Sequence, residues 1–64
     1  MHYTITLDRQ LTLYFAPGVT AEEAQRVARI ARRNGHRNVT VSERKEAPEQ
    51  GGATADRMAE LVRL

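Results

Sequence analysis

The chain predicts a small α+β domain of order ββαβα, a three-stranded antiparallel sheet (strand order 2-1-3) with two helices packed on one face. Three observations carry this. Two short segments near the start alternate apolar and polar residues with period two. A middle segment repeats its apolar residues at helical spacing behind a capping box. A Val-Thr-Val run and a second, shorter helical pattern follow.

In the first alternation, His2 to Leu7, Tyr3, Ile5 and Leu7 lie on one face and His2, Thr4 and Thr6 on the other. The second, Leu11 to Phe15, sets Leu11, Leu13 and Phe15 against Thr12 and Tyr14. For both apolar sets to share a face, Leu7 must pair with Leu11, Ile5 with Leu13 and Tyr3 with Phe15. A two-residue turn would oppose Leu7 and Gln10 and split the sets, so the loop is Asp8-Arg9-Gln10. That reading places Gln10 at the left-handed position, with local strain or a bulge there.

Ala16-Pro17-Gly18 stops the second strand. Thr20 lies three residues before Glu23, a capping box, and Val19 is placed to staple onto Ala24. The helix is expected from Ala21 to Asn34, with Gly35 as its left-handed terminator. Ala24, Val27, Ala28 and Ala31 fall within an arc of roughly 100°, with Ile30 at its edge. Alanine dominates that stripe, so the helix can approach the sheet closely while burying little apolar area.

Val39 to Ser42 reads as the third strand. A right-handed crossover lays it parallel to the second, and the economical position is beside the first, where every neighbouring pair is antiparallel. Thr54 caps a last helix running to about Arg63, with Ala55, Met58, Leu61 and Val62 at helical spacing. The connector Ala47-Pro48-Glu49-Gln50-Gly51-Gly52 is expected to be the most mobile internal segment. The expected core comprises the helix stripes with Tyr3, Ile5, Leu7, Leu11, Leu13, Phe15, Val39 and Val41. A rival arrangement packs the last helix on a second subunit, with the connector as hinge.

The 64 residues make one domain, 1–64, whose short length leaves a thin stability margin and makes a homodimer an open route to a larger core. With no cysteine there is neither a disulfide framework nor a thiolate metal site, and two histidines make a poor metal centre. No metal and no cofactor is expected. No apolar run approaches the roughly 20 residues of a membrane span, and no segment resembles a signal peptide, so cytoplasmic residence and no membrane partner are the expectation.

Charge carries the functional reading. Ten basic and eight acidic residues leave a formal charge of +2, and nine of the ten basic residues are arginine. Guanidinium chemistry and the codon preference of a GC-rich genome both produce such a bias. Its spread along the whole chain favours the second. Arg26, Arg29, Arg32, Arg33 and Arg37 nonetheless run without an acidic residue among them. At 100° per residue Glu22, Arg26, Arg29 and Arg33 line the side of the first helix opposite its apolar stripe, with Arg32 flanking. The plain account is a solvated face, with Glu22 supporting Arg26 and the later arginines complementing the helix C-terminus.

Two functional accounts compete with it. An acidic protein surface would take the Arg26, Arg29, Arg32, Arg33, His36 and Arg37 patch. A nucleic acid would meet the same groups through its phosphates, against which a net charge of +2 is modest. The segment Asn34 to Asn38 is not a phosphate loop, since it holds one glycine and leads into a strand. Gly51-Gly52 offers amides at a helix start, but without the lysine of a nucleotide site. Thr4, Thr6, Thr12, Tyr14 and Thr40 form a second candidate surface on the outer sheet face. Catalysis finds no support: Asp8 lies in a turn, His36 has no orienting carboxylate evident in the sequence, Glu43, Glu46 and Glu49 sit in or beside a loop, and Asp56 and Glu60 share one helix face. The reading is a small non-enzymatic interaction module, an accessory or regulatory factor of the kind a phage or GC-rich bacterium carries. A DNA- or RNA-binding domain is the alternative.

Overall fold

The computed structural model describes residues 2–45 and 52–63. The connector from Ala47 to Gly51 lies outside them, as do Glu46 and Glu49.

Strand β1 (His2–Leu7) is central. It pairs antiparallel with β2 (Leu11–Tyr14) on one side and β3 (Thr40–Arg44) on the other, giving the order β2-β1-β3. The register is the one the apolar alternation demands, with Leu7 opposite Leu11 and Ile5 opposite Leu13. Phe15 extends it, its amide donating to the Tyr3 carbonyl at 3.0 Å.

The hairpin turn differs from expectation in detail. Asp8 and Arg9, not Gln10, take positive φ, at 54° and 62°. The Gln10 amide donates to the Leu7 carbonyl at 3.1 Å, closing a tight turn around the two. Positive φ at both central positions is the pattern that matches strand twist, and Gln10 is left as the extra residue beside Leu11. An aspartate tolerates this conformation, and its backbone is held from outside: the Asp8 amide donates to the Arg37 carbonyl at 2.8 Å.

Helix α1 (Ala21–Arg33) starts with both halves of the capping box in place. Thr20 Oγ1 accepts from the Glu23 amide at 3.2 Å, and Glu23 Oε1 accepts from the Thr20 amide at 3.2 Å. Asn34 is the C-cap, and Gly35 follows in the left-handed region at φ 93°. The buried residues are Ala24, Val27, Ala28 and Ala31, the predicted stripe, with Ile30 half-buried at its edge. α1 packs across β1 and β3, and helix α2 (Ala55–Leu61) packs on α1 of the same chain. Both lie on the Ile5 face of the sheet, where Ile5, Phe15, Val27, Met58 and Val62 are fully buried.

Two strand details depart from the sequence pattern. β3 begins at Thr40 and runs to Arg44, because its ladder follows β1 back to His2 while Val39, just ahead of it, gives its carbonyl to Arg32. Leu11, expected in the core, is 52% exposed. Neither helix lies over β2, so the hairpin end of that edge strand is left in solvent although the register points Leu11 to the core face. Tyr3, Leu13 and Val41 pack only partly buried against the core.

The other end of β2 is covered. Ala53 forms a parallel bridge with Phe15: its amide donates to the Tyr14 carbonyl at 3.0 Å, and its carbonyl accepts from Ala16 at 2.8 Å. Gly52 comes so close to this edge that a β-carbon there would lie 2.5 Å from the carbonyl oxygens of Phe15 and Tyr14. Only glycine fits. The one described residue of the predicted mobile connector is thus pinned against the sheet.

Candidate functional site

On α1 the apolar stripe fixes what faces outward. With Ala24, Val27, Ala28 and Ala31 against the sheet, Glu22, Arg26, Arg29 and Arg33 all emerge exposed on the opposite side. The i,i+4 pair between Glu22 and Arg26 is not formed. Among the described residues, the salt bridges join Asp8 to His36 and Arg57 to Glu60, and neither involves α1. Arg26, Arg29 and Arg33 therefore present guanidinium groups that no described carboxylate neutralises. An open depression of about 550 Å³ lies beside the first two, lined by Ala21, Glu22, Glu23, Gln25, Arg26 and Arg29.

The other three residues predicted for this patch are placed differently. The Arg32 guanidinium donates to the Val39 carbonyl at 3.1 Å, tying the end of α1 to the start of β3. The Arg37 side chain is exposed, but its backbone amide donates to Asp8 Oδ1 at 2.7 Å. His36 is engaged by both ring nitrogens: Nδ1 lies 3.3 Å from Asp8 Oδ2 and Nε2 lies 2.9 Å from the Val62 carbonyl oxygen. The orienting carboxylate not evident in the sequence is Asp8, 28 residues away. The Arg37 amide and the His36 ring, with lesser help from the Arg37 charge, hold the Asp8 carboxyl below its ordinary range. No local motif announces this trio, because hairpin loop, α1–β3 loop and α2 terminus meet only through the sheet order.

The outer sheet face is less open than its alternation implies. Thr12 and Thr40 are exposed, Tyr14 is 48% exposed and Thr6 is half-buried, its hydroxyl 3.2 Å from that of Thr12. Thr4 is only 1% exposed. It sits on the central strand between Tyr14 and Ser42, so a partner on this face would not reach it. Its hydroxyl and His2 Nδ1 are buried without a hydrogen-bond partner among the described residues.

Among the described residues no group of acidic or imidazole side chains is arranged to hold a metal ion. Among the described residues no helix is long and apolar enough to cross a membrane. Comparison with family models, with curated proteins and with solved structures returned no match.

Proposed function

We propose that the chain is a small protein-interaction module that docks an acidic protein surface through Arg26, Arg29 and Arg33. The observation that carries this reading is the shared outward face of three guanidinium groups that form no salt bridge with any described carboxylate. Solvated arginines lose little on meeting a carboxylate, and their planar forks bind it in a bidentate geometry. A protein partner is favoured over a phosphate ladder by the composition of the same face. Glu22 and Glu23 stand at its head, and the whole chain carries a formal charge of only +2. A mixed pattern rewards a complementary mixed surface and repels a uniform polyanion at one end.

The test is capture of a host partner by the wild type and by a double charge reversal, Arg29→Glu with Arg33→Glu, with and without nuclease. Nuclease-resistant capture that the reversal abolishes supports the reading. Capture that survives the reversal removes it. Titration onto random duplex DNA at about 50 mM salt separates the alternative, since three phosphate contacts give a log-log salt slope of about −3.

A further inference from the structure

Both partners of His36 are acceptors. The Val62 carbonyl has no proton to give, and Asp8, its carboxyl held low, is ionised at neutral pH. A neutral imidazole carries one N–H and can satisfy only one of them. With the proton on Nε2, the Nδ1 lone pair faces the carboxylate; with it on Nδ1, the Nε2 lone pair faces the carbonyl. Only the doubly protonated ring donates to both.

We propose that His36 is a proton-operated clasp which, when its ring carries both protons, holds the C-terminal end of α2 against the β1–β2 turn. The three attachment points lie far apart in sequence: Asp8 after β1, His36 after α1 and Val62 after α2. Val62 is the C-cap of α2, where carbonyls have no partner further along the helix and a cation is favoured. Its side chain is fully buried beside Met58 in the core, so a change at its carbonyl is felt by the packing of α2 on α1.

Among the described residues, the charged groups next to the three attachment points along the chain are Asp8 and Arg9 in the turn, Arg32 and Arg33 at the end of α1, Arg37 in the ring's own loop, and Glu60 and Arg63 at the end of α2. Asp8 alone among them makes an ion-pair contact with the ring, and Arg32 is spent on the Val39 carbonyl. Imidazole side chains in general exchange a proton between about pH 5 and 8; the clasp closes when the ring gains its second proton and opens when the ring loses it. This device is independent of the Arg26, Arg29 and Arg33 face and stands or falls separately from it.

The experiment is an NMR titration of the wild-type chain across that interval, following the His36 ring nitrogens, the Val62 carbonyl carbon and hydrogen-exchange protection at the Met58 and Val62 amides. Those amides donate within the terminal turns of α2, to Thr54 and Met58. The expected result is a Val62 carbonyl shift that follows ring deprotonation, with protection in α2 falling about tenfold relative to that in α1. His36→Gln, which keeps a donor but no titration, should flatten the dependence. A ring that titrates while Val62 and the α2 amides stay unchanged overturns the proposal, as does a His36→Gln variant that keeps the wild-type profile.

Discussion

Single atoms decide several outcomes. A β-carbon on Gly52 would meet the backbone oxygens of Phe15 and Tyr14, which cannot swing aside as a side chain can. Gly52→Ala should therefore cost at least about 2 kcal/mol, read from the urea midpoint. The buried Thr4 hydroxyl has no described partner, so the near-isosteric Thr4→Val removes a desolvated polar group. That variant should gain about 1 kcal/mol; a loss would show that the hydroxyl is satisfied. Asp8 works through its charge. Its folded-state carboxyl is held below the unfolded value of about 3.9, so its contribution is complete above that value and is lost as pH falls through the folded one. Thermal scans from neutral to acid pH should show the wild type losing more stability than Asp8→Asn. Equal losses would put the acid sensitivity elsewhere. The sequence placed Thr4 and Asp8 by local pattern alone, as an outward threonine and a turn residue. Their surroundings come from strands and loops remote in the chain, which periodicity does not encode.

Elements were legible where one local rule determined them. The capping box and left-handed Gly35 bounded α1, and its stripe named the buried residues Ala24, Val27, Ala28 and Ala31. Thr20→Ala, which deletes the box, should cost about 1 kcal/mol in denaturant unfolding. Register was equally accessible, since a one-residue slip would turn Ile5 and Leu13 to opposite faces. Where two elements share the decision, the reading fell short. β3 ends at Arg44 because β1 offers partners as far as His2, although Glu43 breaks the apolar alternation. Leu11 has the right parity for the core but lies on an edge strand that neither helix covers. The candidate patch divides in the same way. Arg26, Arg29 and Arg33 follow from helix phase, whereas the attachments of Arg32 and His36 depend on how the loop after α1 returns to the sheet.

At the scale of the molecule the margin is narrow. Its accessible surface of 4664 Å² is about 45% of what an extended chain of 7.2 kDa exposes, so somewhat less is buried than the roughly 60% usual for this size. Against so small a reserve, changes on the outer face of α1 should still be nearly silent. Neutralising two arginines there, Arg29→Gln with Arg33→Gln, should shift unfolding by no more than about 0.5 kcal/mol per site, since neither side chain has a described partner to lose. A larger loss would make those arginines part of the fold rather than of its outer surface. The central position of β1 bears on biosynthesis. That strand emerges from the ribosome before either neighbour, yet β3 follows it by more than thirty residues, which is roughly two seconds or more at 5–20 residues per second. During that delay the nascent hairpin carries one bare flank of backbone amides, and the groups that complete the interior, Met58 and Val62, come later still. The interior is therefore completed only once α2 has followed β3, and a pause in translation within the crossover would prolong the chain's most adhesive state.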